Sequence, residues 1–101
     1  MPNRNYRKGY AAELRAKRKL EESGCAVHRS AGSRGVDLVC IHPRVLVDVG
    51  DAVLYVSVKS GKRRPTARDR AKLKRAKPTW VSREIWYYAP RCRQPKIIYV
   101  V

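Results

Sequence analysis

A chain of 101 residues, 44% of them hydrophobic, is sized for one domain with a modest core and is too apolar to stay disordered. Lys and Arg number 24 against eight Asp and Glu, a net charge of +16. Self-repulsion on that scale calls for a polyanion, and nucleic acid is the one that fits. No apolar run approaches the roughly 20 residues that cross a bilayer, and no segment joins a basic face to a large apolar one. The N-terminal MPNRNYRKGY lacks the apolar stretch of a signal peptide. The expectation is a single domain over residues 1–101, cytoplasmic or at least intracellular, with no membrane partner and no small-molecule cofactor.

YRKGYAAELRAKRKLEE (6–22) predicts a helix closed by Ser23 and Gly24. Tyr6, Tyr10, Leu14, Ala16 and Leu20 form its apolar side, and Glu13 falls inside that stripe. CAVHRS (25–30) reads as a strand and AGSRG as a turn. In VDLVCI (36–41), Asp37 shares a strand face with Val39 and Ile41. After His42-Pro43-Arg44, VLVDV is expected to form a hairpin with AVLYVSVK across Gly50-Asp51. On that second strand Val53, Tyr55, Ser57 and Lys59 share one face.

A basic loop then leads to a second helix with Thr66 as N-cap and Pro78 as its end. Ten of the twenty residues from Lys59 to Pro78 are basic, and Asp69 is the sole acid among them. EIWYYA and KIIYVV finish the chain as strands. The order α-β-β-β-α-β-β predicts an α/β fold, a mixed central sheet flanked by two helices. Cys25, Cys40 and Cys92 show no CxxC spacing and are expected as small thiols rather than as a disulfide or zinc site; His28 and His42 have no second ligand at a metal-site spacing.

The acids carry the chemistry. Glu21, Glu22 and Glu84 sit in solvated or neutral settings, and Asp48 and Asp51 flank a turn where aspartate serves the backbone. Glu13 and Asp37 are carboxylates within apolar patterns, which costs several kcal/mol unless something compensates. Each can be satisfied by an ion pair with a local Arg or Lys. Alternatively, two or three carboxylates converging with Lys59 can hold Mg²⁺ and orient a water against a phosphodiester.

The stretches YRKGYAAELRAKRKLEESGCAVHRSAGSRGVDLV and VLYVSVKSGKR resemble archaeal Holliday junction resolvases, of the PD-(D/E)XK nuclease superfamily. The resemblance implies a restriction-endonuclease-like αβββαβ core and a metal-dependent, structure-selective DNA endonuclease. It would use Mg²⁺, with Mn²⁺ as substitute, and act in DNA recombination and repair as a homodimer on four-way junctions or other branched DNA. An archaeal or viral source would suit it. It implies metal binding for Asp37 and Glu13, and a lysine at Lys59 that orients the attacking water. It also places Arg29, Ser30 and Ser33 beside the site against DNA.

One position departs from the pattern. Two residues before Lys59 the family has Glu or Gln, and this chain has Ser57, on the correct face with a neutral hydroxyl. Some restriction endonucleases of the superfamily have Ser-x-Lys here and draw the missing acid from the following helix, which makes Asp69 a candidate catalytic and metal-binding residue. Otherwise Glu13 and Asp37 suffice for a weaker site, or the protein binds branched DNA without cutting it. A basic nucleic-acid-binding protein with no catalysis is the remaining class.

For DNA, Lys62, Arg63 and Arg64 follow the catalytic strand and should meet phosphates near the scissile bond. Arg4, Arg7 and Lys8 can reach along an arm, and Arg34 and Arg68 extend the basic surface. Such contacts position the backbone and read shape rather than sequence. Trp80, Trp86, Tyr87 and Tyr88 divide between core and a dimer interface that would also use Leu73 and the closing strand.

Overall fold

The computed structural model describes residues 4–30, 35–42, 53–78 and 80–101, with the side chains of 4–8 excepted. Helix α1 (Arg4–Glu22) leads into β1 (Ala26–Arg29), β2 (Leu38–Ile41) and β3 (Val53–Ser60), then α2 (Ala67–Lys74), β4 (Ser82–Tyr88) and β5 (Lys96–Tyr99). The expected VLVDV strand, its turn with Asp48 and Asp51, Ser33 and Arg34 lie outside the described residues. So do the side chains of Arg4, Tyr6, Arg7 and Lys8.

The five strands form one sheet in the order β1-β2-β3-β4-β5, in which β3 and β4 run parallel and the other pairs antiparallel. This is the mixed sheet with two helices that the pattern predicts. The hairpin expectation changes in one respect. Val53–Val56 pairs with β2 on one edge and, from Leu54 on, with β4 on the other. The partner is thus the Val36–Ile41 run, whose alternation suits an interior strand equally well.

Helix α1 turns off at Gly24, whose φ of +98° is a conformation glycine adopts without penalty. Its buried stripe is Ala12, Ala16 and Leu20, packed on Leu38, Cys40, Leu54, Val56, Trp86 and Tyr88. Two alanines one turn apart bring the helix close to the sheet. That shifts the stripe toward Ala12 and leaves Tyr10 exposed at its margin. On the opposite face Leu73 of α2 is fully buried with Val36 and Ile85. Leu73 therefore serves this chain's own core, not an interface. Trp86, Tyr87 and Tyr88 are all buried as well, with the Tyr87 hydroxyl donating to the Gly61 carbonyl at 2.6 Å. Among the described residues the exposed aromatics are Tyr10, Trp80 and Tyr99.

Thr66 caps α2 as expected and forms a reciprocal capping box with Asp69. The helix stops at Lys74, a turn before Pro78, because Arg83 gathers the carbonyls that follow. Its guanidinium donates to Leu73 O (3.1 Å), Ala76 O (2.8 Å), Pro78 O (3.1 Å) and Val81 O (3.1 Å). The planar five-donor fork is what allows one side chain to hold four acceptors. Replacing it should strand half-buried carbonyls. Arg83→Ala is expected to lower the unfolding free energy by about 2–4 kcal/mol in urea titrations. Arg83→Lys should recover less than half of that loss; full recovery would show that charge matters rather than the fork.

Candidate active site

The β2–β3 register builds the centre of the site. One step beyond the Leu38–Val56 pair, Asp37 stands opposite Ser57. Opposed residues share a face, so Asp37, Ser57 and Lys59 all look toward the α2 side. Asp37 is locked there by its backbone: its N–H donates to Val56 O at 2.9 Å and its carbonyl accepts from Ser30 N at 2.8 Å. Its side-chain Oδ2 accepts a hydrogen bond from Val58 N at 2.6 Å. Burial pushes the Asp37 carboxyl above the ordinary carboxylate range. The Val58 N–H, the Lys59 charge, the Ser57 hydroxyl and the Arg29 charge oppose that rise without cancelling it.

Ser57 is 3% exposed and is the only buried polar residue among those described. A glutamate there would set a second carboxylate directly against desolvated Asp37, and like charges so placed repel strongly. The serine instead donates a hydrogen bond to Asp37. The acid that approaches Lys59 comes from α2: Asp69 Oδ1 lies 3.6 Å from Lys59 Nζ. Its other oxygen accepts from Thr66 N at 2.8 Å, and this bond is the main cause holding the Asp69 carboxyl below the ordinary range. The Lys59–Asp69 pair is partly exposed on both sides, a class of ion pair worth little and readily exchanged.

Glu13 makes an ion pair. Its Oε2 accepts from Arg29 Nε at 2.9 Å, and the same guanidinium stacks 4.7 Å from the Tyr10 ring centroid. Because the Arg29 charge also reaches Asp37, it links Glu13 to the centre of the site. Glu13, Asp37 and Asp69 do not close into a tight three-oxygen cluster. Among the described residues the set of three metal-ligating side chains drawn together is Cys25, Cys40 and His42, on the opposite face of the sheet.

Hard oxygen donors around Asp37 suit a divalent ion of the Mg²⁺ kind, which keeps several waters and needs only one or two carboxylates. The residues present fit that requirement. Asp37 is a desolvated carboxylate fixed by backbone bonds, and Asp69 offers an oxygen that now faces only a weakly paired lysine.

The basic residues flank this centre. Ser30, Lys72, Arg75 and Lys77 line a cleft with Val36, Val39 and Tyr55. Lys62, Arg64, Arg70 and Lys96 line a second cleft. Arg63 and Arg68 are exposed. Arg29, expected against DNA, is engaged with Glu13 and Tyr10. Lys72, Arg70 and Arg75 were legible only as part of a charge run. The Thr66-x-x-Asp69 spacing of a capping box is the sequence signal that could have fixed the place of Asp69.

The archaeal Holliday junction resolvase (Hjc) family model matches residues 4–77. A crossover junction endodeoxyribonuclease Hjc of Methanocaldococcus jannaschii is 62% identical over 34 residues, 34% of this chain; the match spans 26% of that relative's length. The structure of Hjc from Archaeoglobus fulgidus, a Holliday junction resolvase from an archaeal hyperthermophile, superposes with a TM-score of 0.69 at 24% identity. It covers 92% of this chain and 73% of its own, a likeness of fold. With the family pattern matched over most of its length and the fold matched over nearly all of it, the chain belongs to the archaeal Holliday junction resolvase family.

Proposed function

We propose that this protein is a divalent-metal-dependent endonuclease that cuts branched DNA, with four-way junctions as its substrate class. The observation that supports the reading is desolvated Asp37 on one sheet face with Lys59, whose ammonium pairs with Asp69 of α2. Asp37 and Asp69 would hold the ion, Mg²⁺ or in its place Mn²⁺. When bound, the ion supplies charge opposite the phosphoryl oxygens and acidifies a nearby water.

The chain's own residues do the rest. Ser57 and Val58 N–H orient Asp37 and favour its ionised form against the effect of burial. Lys59, released from its weak pair with Asp69, orients the attacking water and balances charge on the phosphate. Glu13 acts through Arg29, which it holds beside Asp37. Lys62, Arg63, Arg64 and Arg68 grip flanking phosphates, and the helix-leading Arg4, Arg7 and Lys8 extend that grip. Ser30, whose N–H bonds the Asp37 carbonyl, stands beside the site, and the family resemblance adds Ser33 and Arg34 to the same grip. A two-fold homodimer would set two such sites on opposing strands, and a cytoplasmic setting suits the substrate.

A second reading has its own support: neutral Ser57, and Glu13 taken up by Arg29, favour a branched-DNA-binding protein that does not cut. A labelled four-way junction and a linear duplex, each with Mg²⁺, Mn²⁺ or chelator, separate the two. Symmetrical metal-dependent nicks on the junction are expected. Binding without cleavage under every ion would select the second reading. With a net charge of +16, junction affinity should also fall by about 10³-fold or more between 50 and 200 mM salt, as for proteins making 6–10 phosphate contacts.

A further inference from the structure

We propose that Cys25, Cys40 and His42 form a zinc site that clamps the end of α1 to the β1–β2 strand pair. The sequence spacing does not announce it; the register does. Positive-φ Gly24 turns the chain back so that Cys25 N bonds Leu20 O at 3.2 Å, at the last turn of α1. From the Ala26–Ile41 pair, one step outward sets Cys25 opposite His42. Cys40 is two residues from His42 along the same strand direction, so all three side chains share the α1 face.

The distances suit one ion. Cys25 Sγ lies 3.3 Å from each ring nitrogen of His42, and the ligand atoms of all three residues fall within 4.8 Å of one another. A tetrahedral zinc with ordinary bond lengths needs S···N near about 3.6 Å and S···S near about 3.8 Å. Meeting both takes a turn of the imidazole, which now presents its two nitrogens equally to Cys25 Sγ, so that one of them aims at the ion. Both cysteines are buried and His42 is half-buried, which leaves the fourth position toward solvent or toward Ser23, whose Oγ is 3.5 Å from Cys25 Sγ.

Two thiols and an imidazole select a borderline-soft ion over Mg²⁺, which prefers oxygen. Binding exchanges two thiol protons for Zn²⁺ and leaves the net charge unchanged. The ion therefore adds nothing to the self-repulsion of a chain at +16. The site is distinct from the carboxylate centre, since it lies across the sheet from Asp37 and Lys59.

Titrating the reduced full chain with Co²⁺ tests this. Thiolate-to-cobalt charge-transfer bands should saturate at one equivalent and vanish on adding Zn²⁺. Oxygen ligands at the carboxylate centre cannot produce them. Cys25→Ser and Cys40→Ser should each abolish the bands, His42→Ala should weaken and shift them, and Cys92→Ser should leave them unchanged. Without any variant, Zn²⁺ should raise the melting temperature by about 5 °C or more, reversed by a zinc-selective chelator and not reproduced by Mg²⁺. No charge-transfer absorption in the unmutated chain would overturn the proposal. So would bands lost in Cys92→Ser, or isolation of the chain with Cys25 and Cys40 joined as a disulfide.

Discussion

Asp37→Asn is expected to abolish junction cleavage while making the metal-free chain more stable. Burial raises the Asp37 pKa, so the folded state prefers the neutral carboxyl. A group with a raised folded pKa contributes its stability at low pH and loses it as pH rises through the shifted value. At neutral pH the ionised Asp37 therefore weighs against folding. Asparagine keeps an oxygen for the Val58 N–H bond and removes the charge. The melting temperature of the variant should match the wild type near pH 3 and exceed it as pH rises above about 4, the ordinary aspartate range.

Cleavage should fall by at least about a hundredfold, the scale of losing one preorganised electrostatic group at a reacting centre. Junction binding without metal should change little or tighten, because a negative charge near the phosphate is gone. Equal melting curves at neutral pH would show that Asp37 is not held against its preference. Wild-type cleavage by the variant would remove Asp37 from the site altogether.

Asp69→Asn is the second decisive substitution, because it separates the acid's two tasks. Asparagine can still accept the Thr66 N–H, so the helix cap survives and stability should change by less than about 1 kcal/mol. The oxygen facing Lys59 is replaced by an amide NH2, which neither pairs with the lysine nor binds a cation, and cleavage should drop by about a hundredfold or more. Asp69→Ala should lose both cap and cleavage. The Asp69 carboxyl is held low by the Thr66 N–H, so its contribution to stability is present above the ordinary aspartate pKa. It fades as pH falls through the lowered value, and Asp69→Asn should flatten that part of the acid limb. An Asp69→Asn protein that cuts at the wild-type rate would leave Asp69 a helix cap and nothing more.

Much of the fold was legible because it rests on short-range rules. Alternation placed Asp37, Ser57 and Lys59 on one face of their strands, and propensity with capping located both helices. The helix stop before Pro78 was not legible. It depends on Arg83, ten residues along from Leu73, whose role exists only once β4 lies beside α2. The aromatic run EIWYYA was ambiguous for a related reason. Whether a tyrosine is core or interface depends on which helices cover the sheet, and here α1 covers Trp86 and Tyr88 while Tyr87 reaches Gly61.

By itself, then, the sequence determined the class of partner through its charge, the mixed α/β sheet through its periodicities, and the family through its motifs. Tertiary structure decided which acid meets which base. Glu13 went to Arg29, Asp69 to Lys59, and Ser57 to Asp37. It also drew Cys25, Cys40 and His42 together. Those choices follow from strand register and helix approach, which depend on long-range contacts that no local window of sequence contains. Charge and periodicity are properties of the chain, whereas a pairing between distant residues is a property of the packed sheet.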